Sequence, residues 1–184
     1  MYFFTCMFLV LSLNCSIKDQ KSSIIYHNKM ADIYFHKGNY PEMIYHLTEK
    51  LKYDKQDLQT WADISYYYWS MSVNEKAKKE YFVKKALSVL LDGLTYNKDS
   101  YYIYDEIGKF YLNSAKDYNS AIPYFEQSIT KKDTTNIPFH ILAKCYEINK
   151  NPSKALSIIE LCLNKFPNDA KAKAELEKLK IILN

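Results

Sequence analysis

The sequence predicts an all-α chain of about four helix-turn-helix repeats, stacked as an α-solenoid with one further helix capping its end. Three observations carry this. Residues 136–169 place Phe139, Leu142, Ala143 and Tyr146, then Ala155, Ile159, Cys162 and Pro167, at the offsets that let one short helix pack antiparallel on another. The same order of bulky and small residues recurs upstream at a spacing near the 34 residues of that stretch. Only 3 Gly occur in the chain, too few for the tight positive-φ reversals of a turn-rich β fold.

At the amino terminus, residues 1–15 carry no charge and hold an apolar run from Tyr2 to Leu13. That run is shorter than the roughly 20 residues of a membrane span and suits the core of an export signal. Residues 16–23 are polar and predict a flexible tether. The junction Leu11-Ser12-Leu13-Asn14-Cys15 resembles a bacterial lipobox, which implies acylation of Cys15 and a mature chain beginning there. It departs from the usual pattern in Asn14, larger than the customary Gly, Ala or Ser, and in having no Lys or Arg before the apolar run. An uncleaved anchor, or an ordinary signal in which Cys15 is incidental, is the alternative.

The first repeat, residues 24–57, sets His27, Met30, Ala31 and Tyr34 on one helix and Met43, Leu47 and Leu51 on the next, with Gly38 and Pro41 at the turn between them. Met43 and Lys50 stand where the later repeats have smaller residues, which predicts looser packing at this end. The second repeat, residues 58–100, carries Trp61, Ile64, Ser65 and Tyr68, then Ala86, Leu90, Gly93 and Leu94. It has 43 residues, 9 more than the last repeat. The surplus near residues 72–80 predicts a longer second helix capped by Asn74 and projecting from the stack, with Tyr81, Phe82 and Val83 partly covered. The third, residues 101–135, carries Tyr104, Ile107, Gly108 and Tyr111, then Ala121, Phe125 and Ser128, with one additional residue in its turn near Lys116. Residues 170–184 put Ala174, Leu176, Leu179 and Ile182 on one face, the pattern of a terminal helix that covers the last repeat.

This pattern resembles the tetratricopeptide repeat (TPR) family, whose period is also about 34 residues. The resemblance implies a right-handed solenoid in which the first helix of each pair lines a concave face. Carried over by position, the inward residues are Asn28, Asp32, Phe35 and His36; Ala62, Tyr66, Trp69 and Ser70; Tyr102, Asp105, Lys109 and Leu112; and His140, Lys144 and Glu147. Of these, Asp32, Phe35, Tyr66, Trp69, Tyr102, Asp105 and Lys109 are the candidate partner-binding residues. Phe35, Tyr66, Trp69 and Tyr102 are expected either to form an aromatic strip for an extended or helical peptide, or to pack between neighbouring repeats. Some relatives clamp the acidic carboxyl terminus of chaperones with cationic residues. Here Asp32, Asp63 and Glu106 fall in those places and disfavour that ligand.

Composition narrows the remaining classes. All 25 basic residues are Lys, so the bidentate forks of a sequence-specific nucleic-acid reader are missing, and no nucleic-acid partner is expected. The net charge of +4 is spread over alternating Lys, Asp and Glu, the signature of solvated helix faces. No phosphate loop, nucleophile elbow, zinc clip or HExxH pattern occurs. Neither a cofactor, a metal nor a small-molecule substrate is therefore expected, and the chain reads as non-enzymatic. Cys145 and Cys162 are expected as buried free thiols rather than a disulfide. The functional expectation is an interaction scaffold that binds a protein or peptide partner and is held at the cell envelope by lipid on Cys15. The alternative is a cytosolic or signal-anchored adaptor that assembles through its repeat ends; more remote is an accessory to a glycan or cell-wall enzyme.

Overall fold

The structure is a computed structural model that describes the backbone of residues 2–183 and the side chains of residues 18–183. Nine α-helices occur among the described residues: α1 Tyr2–His36, α2 Tyr40–Leu51, α3 Leu58–Asn74, α4 Lys79–Tyr96, α5 Tyr101–Ala115, α6 Tyr118–Thr130, α7 Ile137–Ile148, α8 Pro152–Lys165 and α9 Ala170–Leu183. They pack in chain order as antiparallel pairs, α1 with α2 through α7 with α8, and α9 closes on α8.

Each pair buries a small residue on its first helix and a large one on its second. Ala31, Ser65, Gly108 and Ala143 are all buried, and so are Leu47, Leu90, Phe125 and Ile159. At Gly108 the approach is closest: a Cβ there would stand 2.7 Å from the Phe125 ring, so only glycine fits without displacement. The core is continuous along the stack, since Trp61, Tyr68 and Tyr111 each touch two neighbouring clusters of buried residues.

The turns repeat as faithfully as the core. Gly38 (φ 68°), Lys116 (φ 51°) and Lys150 (φ 56°) are left-handed, and each is followed by the residue that caps the next helix: Asn39, Asp117 and Asn151. The cap's own N–H donates back to the carbonyl of Tyr34, Tyr111 or Tyr146, at 2.9, 3.1 and 2.9 Å. This bond pattern is how a left-handed residue stops a helix while satisfying its last carbonyls. One pair of side-chain and backbone bonds at each junction thus ends one helix and starts the next.

The second pair departs from that device. Its surplus residues lengthen both helices, with a 3₁₀ turn at Lys76–Lys78 between them. Asn74 is the last residue of α3 and not the cap of α4, whose first turn receives no side-chain cap. Phe82 is fully buried, Val83 half-buried and Tyr81 exposed, so the extension is packed on one face only.

Three other expectations meet a different arrangement. Residues 16–23 run within the continuous helix α1 instead of forming a flexible tether. Met43 is fully buried. Lys50 fastens the end repeat where looser packing is expected: its ammonium lies 2.6 Å from Asp57 and donates to Thr60 at 2.9 Å. A long side chain is accommodated because its charge reaches a carboxylate at the start of α3. The side chain of Cys15 lies outside the described residues. Among the described residues, no helix is long and apolar enough to cross a membrane.

Candidate functional site

The first helices of the second and third pairs approach one another directly, α3 reaching past α4 to touch α5. Between them lies a cavity of about 120 Å³, lined by Ser65, Tyr66 and Trp69 from α3 and by Glu106, Lys109, Phe110 and Asn113 from α5, with Ala62 and Leu90 also contributing. The α3 residues are brought to one wall by helical spacing, since positions three and four apart share a face. Tyr66 is 58% exposed and its ring centre is 6.0 Å from that of Trp69. The wall continues outward: Tyr66 meets Tyr67 edge-on at 5.4 Å, and Tyr67 meets Phe35 of α1 at 6.0 Å.

The opposite wall is charged, one ammonium between two carboxylates. Lys109 Nζ lies 2.6 Å from Asp105 Oδ2 and 2.9 Å from Glu106 Oε1. Burial works to lower the Lys109 value, but the two carboxylates outweigh it and hold the ammonium well above its ordinary range. Asp105 is only 4% exposed, and desolvation pushes its carboxyl up against the opposing pull of Lys109. Asp105 Oδ1 is buried without a hydrogen-bond partner, so the cost of burial outweighs the Lys109 pair and Asp105 rises although it is ion-paired.

The seven residues inferred from the sequence therefore divide. Tyr66, Trp69 and Lys109 line one cavity, and Phe35 joins them through Tyr67. Tyr102 stands apart from the aromatic strip: its hydroxyl donates to Gln59 Oε1 at 3.1 Å, and Gln59 in turn donates to Asp63 at 2.8 Å, bracing α5 against α3. Asp105 is buried beneath the surface and acts on Lys109. Asp32 is solvent-exposed on α1, 3.5 Å from His36, and does not line the cavity. Glu106, Phe110 and Asn113 line the cavity as well; their signal was the i, i+4, i+7 progression along α5.

A second polar cluster joins α7, α8 and α9. His140 Nε2 lies 2.9 Å from Asp169 Oδ2, and Nδ1 lies 2.7 Å from Glu175 Oε2. Asn136 donates to the same Asp169 oxygen at 2.8 Å, Cys162 Sγ stands 3.8 Å from it, and the Ala172 N–H donates to Oδ1 at 3.0 Å. Burial works to raise the Asp169 value, but the donors from Ala172, Asn136 and His140 prevail and hold it well below the usual carboxylate range. The inward residues of the last repeat are thus engaged by α9. Lys178 pairs with Glu147 at 2.9 Å, and Lys144 also pairs with Glu147, at 3.1 Å. Cys145 and Cys162 are both buried free thiols.

No family model matches the sequence, and no curated protein matches it. Solved structures do. MamA 41-end from Desulfovibrio magneticus RS-1 superposes with a TM-score of 0.59 at 14% identity, covering 86% of this chain and 84% of that one. TTC0263, a thermophilic TPR protein in Thermus thermophilus, gives 0.57 at 17% identity over 82% of this chain and 78% of that one. PilF of Pseudomonas aeruginosa gives 0.58 at 16% identity, covering 88% of this chain and 69% of the other. With four nested helix pairs, small-on-large contacts at Ala31, Ser65, Gly108 and Ala143, and these structural neighbours, the chain has the fold of a TPR-like α-solenoid.

Proposed function

We propose that this protein is a non-enzymatic interaction scaffold whose groove between α3 and α5 holds a peptide segment of a protein partner. It is tethered to a bacterial envelope membrane through lipid on Cys15, facing the periplasm or the exterior. The observation that carries the reading is the exposed Tyr66 ring beside Trp69, facing the Lys109 and Glu106 pair across one cavity. Rigid aromatics supply contact area at low entropic cost, and the ion-paired side chains offer polar edges. The preferred segment is therefore one with an apolar anchor residue and a flanking polar backbone, not a highly acidic tail. The similarity of fold to TPR proteins supports the interaction role.

Cross-linking in native membranes followed by mass spectrometry identifies the partner. Tyr66→Ala and Trp69→Ala are expected to reduce its recovery at least tenfold, since aromatic anchors commonly carry about 2 kcal/mol or more of binding. Undiminished recovery rules out the groove. Fractionation and intact mass test the tether: the protein is expected with membranes and with acyl mass on Cys15, and an unmodified Met1 rules out the lipidation.

A second reading, assembly through the repeat ends, draws on Ile181, Ile182 and Leu183, which are exposed on α9, Ile181 at 77%. It expects an oligomer by sedimentation that Ile181→Lys dissociates, with the groove variants leaving it intact.

A further inference from the structure

Apart from the groove, one place among the described residues gathers the three side-chain types that ligate borderline transition metals. His140 on α7, Cys162 on α8 and Asp169 at the start of α9 each aim a ligand atom at a common point, and these atoms all lie within 4.8 Å of one another. Two of the separations are 2.9 Å, Nε2 to Oδ2, and 3.8 Å, Sγ to Oδ2. Ligands about 2.0 to 2.3 Å from a tetrahedral ion stand roughly 3.3 to 3.8 Å apart, so the third separation, within 4.8 Å, closes by up to about 1 Å when the ion is held.

The surroundings fit as well. Glu175 Oε2 lies 2.7 Å from Nδ1, on the far side of the ring from Asp169. A carboxylate in that position fixes the ring and leaves Nε2 free to coordinate, the usual support of a metal-bound histidine. The mixed nitrogen, sulfur and oxygen set favours zinc over magnesium or calcium, which take oxygen ligands. A cavity of about 120 Å³ bordered by His140, Glu175, Glu147 and Lys178 lies against the Glu175 side of the ring.

We propose that His140 Nε2, Cys162 Sγ and Asp169 Oδ2 bind one divalent cation of the zinc class, which pins α9 to the last repeat. Binding displaces the Sγ proton to solvent, and Nε2 coordinates through its lone pair while the ring's Nδ1–H faces Glu175. The thiolate and the Asp169 carboxylate together match the charge of the cation, and a water completes the coordination. Without the cation the same groups hold together by hydrogen bonds, so the ion adds stability to a junction already formed. The site escapes a motif search because its ligands lie on three elements, with Asp169 29 positions from His140.

Cobalt(II) is the probe, added to the full chain in detergent with Cys6→Ser and Cys15→Ser so that Cys145 and Cys162 are the remaining thiols. The expected result is a near-ultraviolet thiolate-to-cobalt band saturating at about one ion per chain, bleached by zinc, with thermal unfolding shifted upward by zinc. Cys162→Ser is expected to abolish the band, His140→Gln to weaken binding at least about tenfold, and Cys145→Ser to leave both unchanged. Circular dichroism establishes that each variant is folded. Absence of the band in the parent protein overturns the proposal whatever the variants do. A band that survives Cys162→Ser, or one lost on Cys145→Ser, overturns it equally.

Discussion

Gly108 on α5 and Phe125 on α6 meet so closely that the glycine hydrogen stands where any side chain would enter the aromatic ring. Phe125 is completely buried and has no open space into which to swing. Gly108→Leu is therefore expected to force the pair apart and cost about 1 to 3 kcal/mol, read as a lower urea midpoint. An unchanged midpoint contradicts the nesting on which the solenoid rests.

Lys116 holds a left-handed backbone that glycine adopts without penalty, as Gly38 does in the first repeat. Lys116→Gly is expected to raise stability by up to about 1 kcal/mol, because relief of the Cβ clash outweighs the added freedom of the unfolded chain. Thermal unfolding of the variant measures it. Destabilisation shows instead that the Lys116 side chain contributes more than its backbone costs.

His27 and His46 place their Nδ1 atoms 3.0 Å apart, amid the rings of Tyr26, Tyr34, Tyr45 and Tyr53 and beside Glu49 and Lys52. Burial, and then the neighbouring His46, push His27 below its ordinary value, with Glu49 acting in the opposite direction. The folded chain thus binds fewer protons here than the unfolded one. This contribution is complete above the unfolded value near 6.5 and is lost as pH falls through the lower folded value. Urea midpoints are expected to drop between about pH 7.5 and pH 5. His27→Phe, which restores the aromatic found at Trp61 and Phe139, is expected to flatten that slope. An equal slope in the variant assigns the effect to other groups.

Much of this architecture was legible because packing between paired helices is local. Residues such as Ala143 and Ile159 lie within one repeat, so their sizes and spacing announce the contact they make. The candidate groove was legible only in part. Tyr66 and Trp69 share a helix face, and spacing alone puts them on one wall. That Tyr102 is diverted to Gln59, and that Asp105 sinks beneath Lys109, depends on how α5 lies against α3, a relation between repeats that no period encodes. The fate of the surplus residues was equally hidden, since helix formers on both sides of Asn74 allow either helix to take them up. In the chain they lengthen both.

By itself the sequence determined that the chain is helical, that it repeats, and where small residues let helices touch, because these follow from side-chain volume at fixed helical offsets. Tertiary structure alone decided which polar groups meet. His140 finds Asp169 and Glu175 only when the start of α9 docks against α7, and Lys50 finds Asp57 only when the turn after α2 brings the start of α3 back to it. Burial is spread over many contacts and tolerates substitution, so its pattern survives in one dimension. A polar contact depends on an ångström of placement in three, and it exists only once the fold has supplied that placement.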